Sequence, residues 1–406
     1  DCLYKRLQTT REGHKAKVRA NEIYGFDFVM DAITLKGFEN FDVDHRPVSG
    51  AFYSRMTNHL GFKTNDEGKL MGLQAYGKPN KKIEEILLKD DLFVYKDKYN
   101  KDINFTVNVE KYPELYYHKK LGYKQIHYDI AYESQKQFEY QMIKVLNRYA
   151  NNAKNIIITG GCALNVVFNY RLKKFLPKNI NLYIDPLCGD EGNSIGAAIT
   201  FGKYCGTRNN FDNIYLGPEP VYDIEKGNDK IETVVEHLIN QKIVGLYQGK
   251  AEAGPRALGN RSLLLDPRIK NGKDIMNKVK NREWFRPFGA SILEEEAHKW
   301  FDMAGLKESP YMLYAVEAKE GVKDKIPAVI HVDNTCRIQT VNEKQNPVLY
   351  KLLKLFNKKT GMPILMNTSF NLAGKPLVES PKDAIETFNE SDIDYIYFAD
   401  IERIYQ

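Results

Sequence analysis

Three arginines in the segment Gly254–Arg268 carry the clearest chemical signal in this chain. The segment reads GPRALGNRSLLLDPR, and its arginines are Arg256, Arg261 and Arg268. A guanidinium group presents a rigid fork of donors that can bind a phosphate or a carboxylate through two hydrogen bonds. Because a Gly-Pro pair opens the segment, the chain turns there instead of continuing a helix. The pattern predicts a shaped loop that binds an oxyanion.

The stretch that contains this loop is strongly basic. From Ala251 to Arg286 the chain has nine Lys or Arg residues against four Asp or Glu, whereas the whole chain of 406 residues has a formal charge of +6. A solvated basic surface would have the same composition, and it stays open as the alternative interpretation. The modest total charge permits an anionic ligand and gives no reason to expect a nucleic-acid partner.

Two glycine-rich turns follow apolar runs in the middle of the chain. The run NIIIT leads into Gly160 and Gly161, and the run INLYID leads into CGDEGNSIGAA (188–198). A strand that ends in glycines and feeds a helix lets backbone amides approach a phosphate, so both turns favour nucleotide binding. Asp190 in the second turn could ligate a hard cation, or it could cap the helix that follows.

The segment GFKTNDEGKLMGLQAYGKPN (61–80) predicts a short helix with polar residues at its start. The cluster Asn65–Glu67 is typical of a helix N-terminus, and a Gly-x-Pro pattern marks the end. Glu67 and Lys69 then lie at the mouth of the helix, where they can contact a ribose or a phosphate. Helix capping is the simpler use of Glu67.

Strand and helix patterns alternate through both halves of the chain and predict an α/β protein. The clearest helix is Ile130–Ala150, whose apolar residues recur at three- and four-residue steps. Gly25–Met30 and Ala51–Leu60 are interpreted as strand-like or short buried pieces. Pro, Gly and polar residues concentrate at 213–229, where we place a domain boundary.

The composition favours a globular protein of the cytoplasm. Hydrophobic residues make up 43% and charged residues 28% of the chain, and no apolar run approaches the roughly 20 residues of a membrane span. The residues Asp1–Arg19 lack the apolar centre of a signal peptide. The five cysteines are scattered without a CxxC pair, which favours a reducing compartment over a disulfide framework or a zinc ribbon.

Seven ordered blocks make this chain similar to a known family. The blocks are EGKLMGLQAYGKP, TGGCALN, CGDEGNSIGAA, GPRALGNRS, REWFRPF, HVDNTCRIQTV and MNTSFN. Together they resemble the O-carbamoyltransferases, the antibiotic and nodulation-factor carbamoyltransferases, from about Gly50 to the C-terminus. The resemblance implies an actin-like ATPase lobe of the threonylcarbamoyltransferase type at 1–212, a linker at 213–229 and a YrdC-like α/β domain at 230–406.

The resemblance also implies a two-step reaction. The C-terminal domain would convert carbamoyl phosphate and ATP into carbamoyladenylate, and the actin-like lobe would transfer the carbamoyl group to a hydroxyl of a small molecule or nucleotide. By resemblance, the carbamoyl phosphate would be bound by Arg256, Arg286, Arg337 and Asn367. The nucleotide in the actin-like lobe would be bound by Glu67, Lys69, Gly160, Gly161 and Asn165. Asp190 would ligate a divalent metal, Fe²⁺ or Mg²⁺/Mn²⁺, and a homodimer would suit the family.

The N-terminal lobe departs from the family pattern. Upstream of these blocks, family members carry an Asp-Gly-Asn/His-Asp start motif and an HxxxH pair that ligates the metal. Here Asp31 is followed by Ala, and His14, His45 and His59 form no i, i+4 pair. We expect that part of this lobe is missing from the sequence, or that the lobe is degenerate. The transfer base and the histidine ligands are therefore assigned to no residue.

Two other functions stay open. A threonylcarbamoyl-type tRNA-modifying enzyme would need the lysine-rich stretch Lys81–Lys124 as an RNA-binding surface. A non-catalytic nucleotide-binding sensor of the same fold would bind ATP without consuming carbamoyl phosphate. No motif distinguishes among acceptors such as an aminoglycoside, a macrolide, a sugar or a hydroxymethylated nucleotide, and fold analogy cannot supply one.

Overall fold

The computed structural model describes residues 49–89, 92–96, 104–149, 153–207 and 213–406. The predicted piece Gly25–Met30 lies outside these residues, as do His14, Asp31 and His45. In the first half, the helices are α1 (Ser49–His59), α2 (Glu67–Leu73), α3 (Lys81–Leu87), α4 (Gln125–Tyr149), α5 (Val166–Phe175) and α6 (Gly192–Tyr204). The strands there are β1 (Phe93–Lys96), β2 (Asn104–Val107), β3 (Asn155–Ile158) and β4 (Asn181–Ile184).

The second half supplies the remaining strands and helices. Its strands are β5 (Val244–Tyr247), β6 (Arg261–Leu265), β7 (Gly289–Leu293), β8 (Phe301–Asp302), β9 (Ala315–Ala318), β10 (Thr335–Val341), β11 (Ile364–Ser369), β12 (Tyr395–Phe398) and β13 (Arg403–Tyr405). Its helices are α7 (Ile231–Ile239), α8 (Gly272–Val279), α9 (Ala297–Trp300), α10 (Val322–Lys325), α11 (Pro347–Thr360) and α12 (Pro381–Asn389).

One large mixed sheet organises the second half. The strand order is β13-β12-β5-β6-β11-β7-β10-β9-β8. In its centre, β7 pairs in parallel with β10 and antiparallel with β11. Every residue of β5, β6 and β7 is buried, as expected of strands that are covered on both faces. The prediction of an α/β protein is confirmed.

Two small sheets lie in the first half. The strands β1 and β2 form an antiparallel pair, and β3 and β4 form a parallel pair. Each strand of the parallel pair leads through a glycine-rich turn into a helix, α5 after β3 and α6 after β4. The two strand–turn–helix units that the sequence predicts are therefore present.

Of the two interpretations of Ala51–Leu60, the strand-like one is wrong, because most of the segment forms α1, whereas the buried one agrees with the structure. Phe52, Met56 and Leu60 recur every four residues, and all three are buried. This spacing places them on one face of a helix, whereas a half-buried strand would alternate at every second residue. The four-residue period of the apolar side chains therefore favours the helix.

Residues Val48–Gln406 form one compact unit. Within it, α5 packs against the large sheet through Val166 and Val167, which contact Ala315 of β9. The domain boundary at 213–229 stays a prediction. None of the helices in the described ranges combines the length and the apolar character that a membrane crossing requires.

Candidate active site

Arg256 lies in the long loop 248–260, which connects β5 to β6. The loop turns at Gly254 and Gly259, whose φ angles are +91° and +109°. A Cβ atom at Gly259 would lie 2.7 Å from Nδ2 of Asn346, so both the backbone conformation and the close contact require glycine there. The chain therefore forms the predicted shaped loop over residues 254–260, whereas Arg261–Leu265 of the predicted segment form the buried strand β6, because their apolar side chains pack in the sheet.

Side chains from the loop itself, from β10 and from Tyr215 hold the backbone of this loop in place. Oε1 of Glu252 accepts a hydrogen bond from the Leu258 N–H at 2.5 Å. The Leu258 carbonyl in turn accepts from Nε2 of Gln339 at 2.8 Å and from the Tyr215 hydroxyl at 3.1 Å. Because these bonds hold the backbone two residues after Arg256, they restrict where its guanidinium can lie.

The other two arginines of the predicted motif have partners within the protein. Arg261 is fully buried and donates to four main-chain carbonyls at the base of the loop, at 2.7 to 3.2 Å. Arg268 forms an ion pair with Asp266 at 2.6 Å. Of the three arginines, Arg256 is the one whose surroundings suit an oxyanion.

Arg337 and Asn367 lie in one row across the large sheet. Arg337 of β10 pairs with Gly289 of β7, and Gly289 pairs with Asn367 of β11. Paired residues on neighbouring strands point to the same face, so the two side chains share a face with a glycine between them. A Cβ atom at Gly289 would lie 3.0 Å from the sulfur of Met312. Strand register thus brings together residues that are far apart in sequence.

Arg286 comes from the turn 282–287, between α8 and β7. At the start of this turn, Nε of Arg282 donates to Oδ1 of Asn277 at 2.8 Å, which fixes the turn to α8. The acidic neighbour of Arg286 is Glu283, 3.6 Å away. The turn therefore presents two arginines with one carboxylate between them.

The positive charges of these arginines act on one another. Burial, with Arg286 nearby, lowers the pKa of Arg256 to about 10, and burial and Arg286 also lower the pKa of Arg282 to about 9. Burial, with the charges of Arg256 and Arg282, holds the pKa of Arg337 well below its ordinary value. The charges of arginines from three separate segments therefore act on one another. Such a cluster favours the binding of a multiply charged anion.

Three buried polar atoms in this cluster have no hydrogen-bond partner among the described residues. They are Nε of Arg256, Nε of Arg337 and Oδ1 of Asn367. Buried polar groups are nearly always hydrogen-bonded, and an unsatisfied one costs about 1–3 kcal/mol. A ligand that offers two hydrogen-bond acceptors and one donor would satisfy these atoms.

Lys280 is a neighbour of the site that the sequence reasoning missed. Its buried ammonium group donates to Oγ of Ser369 at 3.2 Å and to Oδ1 of Asn371 at 2.8 Å. Burial, with the charges of Arg282 and Arg286, holds the pKa of Lys280 well below its ordinary value. The signal was present, because Lys280 belongs to the basic stretch around the loop and both acceptors belong to the block MNTSFN.

The turn after β3 has the open surroundings that a bound phosphate would need. No atom of the described residues lies within 4 Å of a Cβ built at Gly160 or Gly161. Asn165, by contrast, is buried and caps α5, because its Oδ1 accepts from the Phe168 N–H at 3.0 Å. Its side chain also pairs with the Gln135 amide. The structure thus gives Asn165 a role in shaping the turn, and its contact with a nucleotide stays a prediction.

Glu67 and Lys69 lie in the first turn of α2, and both have partners within the protein. Glu67 accepts a hydrogen bond from the Ser54 hydroxyl. Lys69 forms an ion pair with Glu283 at 2.8 Å, which ties α2 to the turn 282–287. The N-terminus of α2 has no side-chain cap, so the structure does not show the capping use of Glu67.

Asp190 is exposed in the turn before α6, beside the loop 248–260 that contains Arg256 (the arginine loop). A Cβ atom at Gly254 would lie 2.9 Å from Cδ2 of Leu187 in that turn, and the charge of Glu191 acts on Arg256. The start of α6 has no side-chain cap, so the capping alternative for Asp190 is not seen. Within the described part of the chain, no three Cys, His, Asp or Glu side chains are grouped as a metal site requires.

Two protein-family models match this chain. The model described as carbamoyltransferase N-terminus matches residues 31–199, and the model described as carbamoyltransferase C-terminus matches residues 235–403. The chain belongs to the carbamoyltransferase family. In this carbamoyltransferase-family chain, the C-terminal match contains the arginine loop, the turn 282–287 and the row across β10, β7 and β11. The N-terminal match contains both glycine-rich turns.

Curated relatives of the family extend beyond the matched region. An uncharacterized protein of Methanocaldococcus jannaschii is 37% identical over 376 residues, which are 86% of this chain and 60% of that protein. The nodulation protein NolO of Bradyrhizobium diazoefficiens is 32% identical over 373 residues, 85% of this chain and 67% of that protein. The 3'-hydroxymethylcephem-O-carbamoyltransferase of Streptomyces clavuligerus is 30% identical over 339 residues, 80% of this chain and 62% of that protein. The chain thus spans 60 to 67% of the length of these three relatives.

One solved structure is a crystal structure of full-length HypF in the phosphate- and nucleotide-bound form. It aligns with 43% of this chain and 23% of its own length, at 18% identity and a TM-score of 0.29. A likeness this weak supports no statement about the fold or the site.

Proposed function

We propose that this chain uses carbamoyl phosphate and ATP to form carbamoyladenylate and transfers the carbamoyl group to a hydroxyl of a small molecule or nucleotide. The observation that carries the proposal is the grouping of three buried atoms without partners in the described residues: Nε of Arg256, Nε of Arg337 and Oδ1 of Asn367. Carbamoyl phosphate offers phosphate oxygens to the two donors and an NH₂ group to the acceptor. The family membership and the cephem O-carbamoyltransferase relative support a carbamoyl donor and a hydroxyl-bearing acceptor.

The proposed reaction balances in three steps. Water attacks the carbonyl carbon of carbamoyl phosphate, the bond to the bridging oxygen breaks, and carbamate and inorganic phosphate result. A carbamate oxygen then attacks the α-phosphorus of ATP, and the bond to the bridging oxygen breaks to release pyrophosphate. Finally, the acceptor hydroxyl attacks the carbonyl carbon of carbamoyladenylate and loses its proton, and AMP leaves.

The cationic residues have distinct parts in this proposal. Arg256, Arg286 and Arg337 would bind the phosphate of carbamoyl phosphate and stabilise its charge as it leaves, because charge-assisted bonds to phosphate are the strong ones. Lys280 and Arg282 lie beside this group and would bind phosphates of ATP. In the free protein, Lys280 donates to Ser369 and Asn371, so these bonds would be exchanged for bonds to the nucleotide.

The actin-like lobe, the YrdC-like domain and the metal remain parts of the proposal. We propose that Gly160 and Gly161 approach nucleotide phosphates in the first lobe and that Asp190 is one ligand of a divalent ion. The described residues group no full ligand set around Asp190, so no step is assigned to the metal. The transfer base is likewise assigned to no residue, and a homodimer is proposed from the family alone.

The test supplies the chain with carbamoyl phosphate, ATP and a divalent metal and follows inorganic phosphate and pyrophosphate. We expect pyrophosphate release that depends on carbamoyl phosphate and that falls about 100-fold or more in Arg256→Ala, as when a charge-stabilising donor is removed. The matched control is Arg268→Ala, since Arg268 belongs to the same segment but pairs with Asp266. This variant should release pyrophosphate at the wild-type rate. ATP binding without turnover under any metal would contradict the proposal and favour the sensor.

A further inference from the structure

We propose that Ser291 and Gln339 make the site specific for an acyl phosphate that carries an NH₂ group. They would do so as positioning residues, by holding the side-chain amide of Asn367 in one orientation. This inference rests on the proposed function, because it assumes that the acyl phosphate binds beside Arg256 and Arg337. The three side chains are buried, with exposed fractions of 0% for Ser291, 3% for Gln339 and 0% for Asn367.

The orientation of Gln339 is set by a main-chain group. Its Nε2 donates to the Leu258 carbonyl at 2.8 Å, and a carbonyl can only accept. Nε2 of Gln339 must therefore face the loop, and Oε1 must face the other way. This acceptor is directed at Ser291 and Asn367.

The next two bonds transmit this orientation to Asn367. The Ser291 hydroxyl donates to Oε1 of Gln339 at 2.7 Å. Because its proton is used there, Oγ of Ser291 acts as an acceptor for Nδ2 of Asn367 at 2.8 Å. Nδ2 also lies 3.1 Å from Oε1 of Gln339 and 3.4 Å from the Ala257 carbonyl. A flipped amide would place its oxygen against three acceptors, so the observed orientation is strongly preferred.

Oδ1 of Asn367 is consequently an acceptor on the opposite side of the amide. It is buried and accepts no hydrogen bond from any described residue. It stands on the same sheet face as Arg337, with Gly289 between them in the row. A ligand bound to Arg337 and Arg256 through its phosphate can therefore satisfy this acceptor only if it carries an N–H or O–H group near the phosphate.

Carbamoyl phosphate and acetyl phosphate differ in this respect and in little else. The first has an NH₂ group where the second has a methyl group of similar size. A buried polar site can reject the analogue that leaves it unpaired by factors of about 10⁴ to 10⁵. The hydrogen bonds around the Asn367 amide therefore favour a carbamoyl group over an acetyl group.

The experiment compares the two acyl phosphates with the whole chain. The kcat/KM for pyrophosphate release is measured with each, and the ratio is the readout, because a lower folded fraction changes both values equally. We expect the wild type to prefer carbamoyl phosphate by about 100-fold or more. The ratio should fall at least about tenfold in Ser291→Ala/Gln339→Leu and in Asn367→Leu, since the amide is then free to turn or lacks its acceptor.

Tyr215→Phe is the matched control. It removes another hydrogen bond to the same Leu258 carbonyl without touching Asn367, so its ratio should equal that of the wild type. If the double variant does not fold, Ser291→Ala alone, which removes a single oxygen atom, gives the same test with a smaller expected change.

The outcomes separate this inference from the proposed function. If the wild type releases no pyrophosphate with either acyl phosphate and binds neither in calorimetry, the proposed function is wrong. If the wild type uses carbamoyl phosphate but the Ser291 and Gln339 variants keep its full preference over acetyl phosphate, the function stands and the positioning role is overturned. A lost preference in Tyr215→Phe as well would also overturn it, because the effect would then belong to the loop in general.

Discussion

At the scale of single residues, the site consists of partly buried arginines whose charges act on one another. Arg256, Arg282 and Arg337 all have lowered pKa values, with burial as the first cause and neighbouring arginines as another. Arg256 and Arg337 were predicted from the sequence because they stand in recognisable blocks, whereas in the block REWFRPF only Arg286 was predicted and Arg282 was missed. Lys280 belongs to the same basic stretch but was missed, because the local sequence does not show that its acceptors are Ser369 and Asn371, 89 and 91 residues further along the chain.

Arg337→Met should show that the grouped arginines destabilise the folded protein in the absence of a ligand. The charge of Arg337 is largely removed from water and has no carboxylate partner among the described residues, so an apolar side chain of similar length can be more stable there by about 1–4 kcal/mol. We expect a higher melting temperature for the variant and no further rise when inorganic phosphate is added. The wild type should start lower and rise with phosphate, in thermal unfolding followed by circular dichroism.

Arg403→Met is the control for this change, since Arg403 is exposed in β13. It should leave both the melting temperature and its response to phosphate near those of the wild type. Equal stabilisation of wild type and Arg337→Met by phosphate would show that Arg337 does not bind the anion.

At the scale of elements, the site depends on one loop and on strand register. The helices with clear periodicity were predictable, and α4 (Gln125–Tyr149) contains nearly all of the predicted helix Ile130–Ala150. The α4 helix begins at Gln125, five residues before the predicted start, because the polar residues of its first turns carry no apolar period. The pairing of β7 with β10 and β11 could not be predicted, because local sequence patterns carry no information on which distant strand becomes a neighbour.

Gly259→Ala adds only one methyl group, but it should disturb the loop 248–260 strongly. The φ angle of +109° and the contact at 2.7 Å with Asn346 together make a side chain unfavourable, by about 1–3 kcal/mol for the backbone alone. We expect a loss of stability in urea denaturation and a raised KM for carbamoyl phosphate, because Arg256 shares this loop.

Gly305→Ala provides the comparison. Gly305 has a φ angle of +77°, but no described atom lies within 4 Å of its Cβ position. It should lose some stability through the backbone and keep the wild-type KM. An unchanged KM in Gly259→Ala would show that the loop conformation does not control Arg256.

At the scale of the whole molecule, His331 connects the two halves of the described chain. Its Nε2 donates to the Gly72 carbonyl of α2 at 2.9 Å, and its Nδ1 is buried without a partner in the described residues. Burial lowers the pKa of His331 below the ordinary value of 6.5. The histidine therefore remains neutral in the folded protein at a pH where the unfolded chain already takes up a proton.

Stability should fall as the pH drops below about 6.5, because the unfolded state then binds more protons than the folded state. We expect the free energy of unfolding to be lower at about pH 5.5 than at about pH 7.5, with a smaller difference in His331→Gln. His298→Gln, a change at an exposed histidine, should keep the wild-type pH dependence. Denaturant titrations at both pH values measure the free energy of unfolding. An equal change of this free energy between the two pH values in the wild type and in His331→Gln would contradict the prediction.

The row that joins Arg337, Gly289 and Asn367 has a consequence for synthesis on the ribosome. The central strand β7 is made first, and its two neighbours β10 and β11 emerge only later. Until residue 341 has left the exit tunnel, β7 has neither partner, and until residue 369 has left, the edge of β7 that pairs with β11 stays open and can pair with other chains. Nascent chains of this protein should therefore need protection from aggregation late in translation, and chains that stop before β11 should bind no acyl phosphate.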